Sequence, residues 1–322
     1  MSVAGTTRLG TWIQGALLVV GLALVAYFVW TTGPAHVLAA LRDAGPYVPL
    51  LAALEVIVVF TDIGAFVTLL GPDARRVSGR GWLRSSSLAY GCSILLPAGR
   101  TASEAGRASV LAAYVGGLRA ATAAAQLQAS ALVADGLISG VAALVVLRLE
   151  NNHRLPALLA GNLLLTVAGG TTLLVLIRNR RVAQALGRRF PRLFTRFAAG
   201  EGEPYTWGLG ACAWSFVGRA IQVFEFGVAV RAVGGSLDAT TAFVAFGIHA
   251  VTATIGVAVP NQVGVADGAY VLFADTLGFE SAPARALALM LAVRATQVAL
   301  ALVCFFVPIL VRTAKSEASP PG

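Results

Sequence analysis

Leu96-Pro97-Ala98-Gly99-Arg100-Thr101-Ala102-Ser103-Glu104-Ala105-Gly106-Arg107 places two arginines and a carboxylate between apolar runs that otherwise have the character of membrane spans. Pro97 removes a backbone donor, and Gly99 and Gly106 loosen the chain, so a helix arriving from Ser86 is expected to break here and leave backbone groups unpaired. In lipid such a break persists only where protein or a water-filled cavity covers it. Each ionisable group at membrane depth costs roughly 2.5 to 3.5 kcal/mol on insertion scales. Three on one segment make it a functional candidate.

The device recurs at Pro260-Asn261-Gln262-Val263-Gly264-Val265-Ala266-Asp267-Gly268, again with a proline, small residues and a carboxylate seven positions on. At the shift of 163 residues that carries Pro97 onto Pro260, Asp62 falls on Glu225, Gly64 on Gly227, Gly71 on Gly234 and Glu104 on Asp267. The shift is about half the chain, and an internal duplication is expected.

Composition fixes the class. Of the 322 residues 57% are hydrophobic and 12% charged, with a mean hydropathy of +0.78, which identifies an integral membrane protein. The net charge of +9 is gathered in Arg75, Arg76, Arg80 and Arg84, and in Arg178, Arg180, Arg181, Arg188, Arg189, Arg192 and Arg196. Short arginine-rich loops beside apolar spans mark the cytoplasmic side and attract anionic lipid, so no nucleic-acid partner is expected. Cys92, Cys212 and Cys304 lie in apolar runs without paired spacing, and His36, His153 and His249 have no metal-ligand spacing. No metal and no cofactor are expected.

In chain order, residues 11–30 make a first span, retained rather than cleaved as a signal peptide. Residues 46–70 make a second, on which Glu55 and Asp62 are seven apart and share a face that should look into protein, unless Glu55 lies at an interface. Trp82 is a candidate interfacial anchor. Residues 85–96 and 102–118 are each too short to cross, and read as a re-entrant hairpin, with one kinked full span as the alternative. Residues 120–147, carrying Gln126, Gln128 and Asp135, run outward to an external loop at 148–154. Residues 155–177 return, with Gly169-Gly170 for close helix contact, to a basic cytoplasmic loop at 178–203. Residues 207–231 carry Arg219, Gln222 and Glu225 as a polar stripe, in which Arg219 could simply pair with Glu225. Residues 240–260 and 263–277 form a second broken hairpin, and 285–312 a final span with Arg294 and Gln297 on one face.

The expected fold is therefore an all-α polytopic membrane bundle of six full spans plus two re-entrant hairpins. Residues 1–154 and 155–322 would be two inverted copies, with both termini in the cytoplasm. Inverted repeats with broken helices near the midplane are a recurring transporter architecture, with the site at the repeat interface.

These residues resemble the transmembrane domain of lysylphosphatidylglycerol synthase/flippase proteins, a set that includes stand-alone bacterial membrane proteins. The first signature is matched by Pro97, Arg100, Ser103-Glu104 and Arg107, and the second by Pro260, Gly264-Val265, Asp267 and Leu277-Gly278, with Arg294 in the last span. The Pro97 to Glu104 spacing is slightly longer than usual. Asp267 replaces a usual Glu, and Asn261-Gln262 a usual Gly. The family's lipid-making members carry a separate soluble synthase domain; with the sequence ending at Gly322, movement of a lipid rather than its synthesis is the expectation. The resemblance implies a bacterial cytoplasmic membrane and a phospholipid-like partner with an anionic or aminoacylated headgroup. A homo-oligomer is compatible with it.

The expected function is lipid translocation between leaflets, without enzymatic activity. Arg100, Arg107, Arg294, Glu104 and Asp267, with Asp62, Glu225 and Arg219, are the candidate substrate-binding residues, and Pro97, Pro260 and Gly264 form the breaks. An arginine grips a phosphate with two parallel hydrogen bonds, and a carboxylate pairs with a headgroup amine. Two other readings stand beside it. Glu104 and Asp267 could be the acid/base pair of a lipid-active enzyme. Alternatively, the buried charges, Arg100 with Glu104 among them, could only lock a scaffold that serves a lipid-modifying partner.

Overall fold

The structure, a computed structural model, describes residues 19, 23, 25–31, 33–96, 99–148, 154–178, 208–279 and 281–310. Most of the expected first span, Pro97 itself, the centre of the 148–154 loop and the 178–203 loop lie outside these residues. The described helices are α1 (Pro34–Ala44), α2 (Val48–Leu70), α3 (Gly79–Leu95), α4 (Gly99–Val115), α5 (Gly117–Leu147), α6 (Arg154–Arg178), α7 (Leu209–Ala232), α8 (Ala239–Ile255), α9 (Val265–Leu272) and α10 (Pro283–Leu310). No strand occurs among the described residues. Four stretches there are long and apolar enough to cross a membrane: Pro34–Arg76, Gly117–Leu147, Arg154–Ile177 and Pro283–Val307. Outward-facing Phe60, Leu144, Leu164, Leu302 and Phe306 are exposed, as lipid-facing side chains are.

Both breaks form where the local chemistry demands them. Leu96, the residue before Pro97, leaves the helix for an extended conformation (φ −104°, ψ 150°), because the proline ring crowds the helical region of its predecessor. The chain then returns along α4. Ser78 starts α3 by accepting a hydrogen bond from the Gly81 amide at 3.1 Å, a serine N-cap. Arg119, just past the end of α4, donates to the Leu69 and Leu70 carbonyls at 3.2 and 3.1 Å and lies 3.5 Å from Asp73. These are the orphan carbonyls at the C-terminus of α2, and a cation there also meets the negative end of the helix dipole. Both ends of the α3–α4 hairpin are thus fastened at one end of α2. Trp82, expected as an interfacial anchor, packs edge-on against Phe66 of α2, with centroids 6.3 Å apart.

The second break is a single 3₁₀ turn, Pro260–Gln262, after which α9 begins. Asn261 and Gln262 both take positive φ (45° and 54°), a region that side chains bearing a Cβ rarely occupy. The Asp267 carboxylate accepts from the Gly264 amide at 2.8 Å, capping the first turn of α9.

Small residues bring the long helices together. A Cβ on Gly170 of α6 would stand 2.7 Å from the Ala129 carbonyl oxygen and 2.9 Å from a Val133 methyl of α5, whereas Gly169 has open space. Of the expected Gly169-Gly170 contact, only Gly170 carries the packing. Gly170→Ala should therefore cost about 1 to 3 kcal/mol through overpacking, read as a lower thermal unfolding midpoint of the detergent-solubilised protein. Gly169→Ala should leave that midpoint unchanged or slightly raised. Equal midpoints for the two variants would contradict the assigned contact.

Candidate functional site

A cavity of about 470 Å³ lies between the two breaks, lined by Gly99, Arg100 and Thr101 from the first and by Asn261 and Gln262 from the second. Asp135 of α5 is its electrostatic centre. Its Oδ2 accepts from Arg100 Nη1 at 2.5 Å, and its Oδ1 is paired with Arg219 Nε of α7. Arg219 Nη1 also donates to Gln222 Oε1 at 2.5 Å. The Arg100 side chain keeps 38% of its surface exposed, against 15% for Arg219. Two cations share one anion, so the cluster carries a surplus positive charge. That surplus is most accessible at Arg100.

Arg107, about two turns beyond Arg100 on α4, is buried, with its guanidinium carbon 5.5 Å from the Phe66 ring centroid. Its Nη2 stands 3.6 Å from Asp62, and its Nε 3.9 Å from Glu104 Oε2. Both distances exceed hydrogen-bond length, and Nε and Nη1 of Arg107 have no hydrogen-bond partner. The polar floor continues through α5, α6 and α8. Ser139 donates to the Asp135 carbonyl at 2.8 Å, Asn162 Nδ2 donates to Ser139 Oγ at 2.8 Å, and Thr254 donates to Asn162 Oδ1 at 2.7 Å.

The candidate residues separate into two groups. Arg100, Glu104, Arg107, Asp62 and Arg219 line the cavity together; Glu225, Asp267 and Arg294 do not. Asp267 is fully buried and held bidentately by Arg294 Nη1 at 2.7 and 2.8 Å. Arg294 Nη2 also reaches the Asn261 carbonyl at 3.5 Å, so this pair braces the second break from behind. Glu225 is also buried, beside Glu55. Neither pairing considered as purely structural forms: Arg100 and Arg219 both meet Asp135, while Glu104 faces Arg107.

Asp135 was not among the candidates, although a lone acid in an apolar span of 28 residues carries the same insertion cost as Glu104. His249, Gln128 and Gln297 also line the cavity. Each is a polar side chain in an apolar helix, which is a readable signal; which of them converge is set only by packing.

Charged residues converging on an internal cavity where helices break define the class: a polytopic helical membrane protein. The chain belongs to the lysylphosphatidylglycerol synthase transmembrane-region family, whose model matches residues 13–304. No match was found among curated proteins or among solved structures.

Removing the shared anion should be costly. Asp135→Asn leaves Arg100 and Arg219 without their counter-ion and should destabilise the protein by about 3 kcal/mol, the low end for breaking a buried pair because Arg100 still reaches water. Asp62→Asn, which loses one long contact from a side chain 42% exposed, should cost under about 1 kcal/mol. Denaturation midpoints of the two purified variants would show the reverse order if Asp135 were not the centre of the cluster.

Proposed function

We propose that this protein moves a phospholipid-like molecule between membrane leaflets, passing the headgroup through the charged cavity while the acyl chains remain in lipid, and that it does so without chemical change to the lipid. One observation carries the reading: Arg100 is fixed by Asp135 at the cavity wall yet keeps more than a third of its side chain open. A guanidinium held this way can offer its remaining donors to a phosphate in two parallel bonds. Glu104, one turn further along the same helix, and Asp62 of α2 are the partners for a headgroup amine. The volume lies within the range of small-molecule pockets. Leu165 and Val257 line the cavity and are 62% and 59% exposed, giving it an apolar rim suited to a lipid's tails.

For Asp267 and Arg294 the buried, bidentate geometry favours bracing of the second break over contact with substrate. The finer architecture belongs to the same proposal. Six full spans and two re-entrant hairpins, with residues 1–154 and 155–322 as inverted copies in a bacterial cytoplasmic membrane, would set the two breaks against each other across the cavity, as alternating access requires.

Vesicles containing the purified protein and fluorescent phospholipids of different headgroups would test the function. Arg100→Lys should reduce translocation at least tenfold, since a lysine cannot reproduce the two-pronged grip, and Glu104→Gln should act most strongly on amine-bearing lipids. Wild-type rates in both folded variants, or a chemically altered lipid in the extract, would refute the proposal. The topology has its own measurement. In a background with the native cysteines replaced, Asn152→Cys and Arg188→Cys should react with an impermeant thiol reagent from opposite sides of the membrane; labelling from the same side would remove the inverted repeat.

A further inference from the structure

Glu55 of α2 and Glu225 of α7 meet at the inner wall of the cavity, 3% and 1% exposed. The two helices pack against each other, and the two carboxyl groups face one another. The donors around them are few. Gln297 Nε2 of α10 donates to Glu55 Oε1 at 2.5 Å, and the Tyr90 hydroxyl of α3 faces the same group. Arg219 acts on Glu55 as a nearby cation, but its guanidinium is taken by Asp135 and Gln222. On the Glu225 side, Tyr270 of α9 donates elsewhere, to the Ala245 carbonyl at 2.7 Å. Cys304 of α10 stands beyond Tyr90, and His249 of α8 packs on Phe226 at 4.7 Å between centroids. Neither oxygen of Glu225 meets a donor hydrogen.

Ionised carboxylates only accept hydrogen bonds. Two of them in contact, buried and without a cation between, would repel each other and leave Glu225 unsatisfied, a burden of several kcal/mol that proteins avoid by neutralising the group. One proton resolves both problems. We propose that Glu55 and Glu225 form a proton-binding site in which a single proton is shared between the two carboxyl groups and exchanged with the cavity through Glu55. Glu55 lines the cavity and Glu225 does not, which orders the route. A proton arriving from cavity water binds Glu55 and passes across the mutual hydrogen bond to Glu225. On release it returns to water by the same path, and the occupied pair carries one net negative charge. The proton belongs to the pair rather than to either residue. Its use, linking headgroup movement to proton uptake, rests on the translocase reading, whereas the site itself rests on the geometry of the two acids.

Infrared spectroscopy of the full chain in lipid nanodiscs at neutral pH reads the proton directly. The spectrum of the wild type minus that of Glu225→Gln should contain the carbonyl stretch of one carboxylic acid, moving to lower frequency in deuterium oxide. In the variant the carboxamide donates to Glu55 in the proton's place. Glu55→Gln gives a second difference spectrum in which one acid band should again be lost, and Glu104→Gln should leave that band unchanged. A difference spectrum containing only carboxylate bands overturns the site. So does a wild type with no acid band at neutral pH, which decides the matter even if the variants fail to fold. In vesicles, a pH gradient should speed fluorescent-lipid movement in the wild type at least threefold and leave Glu225→Gln unaffected; a wild type indifferent to the gradient overturns the coupling. An acid band in a protein that moves no lipid at any pH would instead sink the translocase reading and leave the proton site standing.

Discussion

Everything at the centre of this bundle depends on one carboxylate held between two guanidinium groups. Arg100 sits at the tip of a broken hairpin, Arg219 in the middle of a helix from the other half of the chain, and Asp135 on the longest helix between them. In a medium of low dielectric, charges at hydrogen-bond distance attract far more strongly than in water, but only a paired charge survives there at all. Asp135 makes the approach of α4 and α7 tolerable. By neutralising just one of two cations it also leaves a positive remainder facing the cavity.

The two breaks, alike in sequence, are finished differently. At the first, Arg100 pairs closely with Asp135, whereas Glu104 and Arg107 project into the cavity with long contacts and retain unsatisfied atoms. At the second, both oxygens of Asp267 accept from Arg294 Nη1, and Asp267 also caps the helix that starts there, although Arg294 Nε has no hydrogen-bond partner. Matching motifs thus produce one polar surface and one internal brace. The difference follows from where the last helix lies: α10 brings Arg294 up behind the second break, and the described residues place no arginine behind the first.

The class of the protein, the helices and the positions of both breaks were legible because each rests on local chemistry. Proline and glycine interrupt helices, apolar runs of about twenty residues persist, and arginine gathers in loops. Gly170 against Gly169 was not legible, since only the crossing of α5 and α6 decides which glycine faces the neighbour. The equivalence of Glu104 and Asp267 was read from spacing, which fixes position along the chain but not the partner that packing delivers. Glu225 beside Glu55, and Asp135 beside Arg219, are contacts between distant segments. Insertion cost flags such residues as needing company without saying whose.

The sequence distance between the members of the Asp135 cluster orders events during synthesis. Arg100 and Asp135 leave the ribosome 35 residues apart, so they can enter the membrane as a pair that carries no net charge. Arg219 follows 84 residues after Asp135, and Gln297, which closes on Glu55 across 242 residues, comes later again. Glu55 therefore enters with Tyr90 of the next helix as its first polar neighbour, and Gln297 joins it only when the last helix arrives.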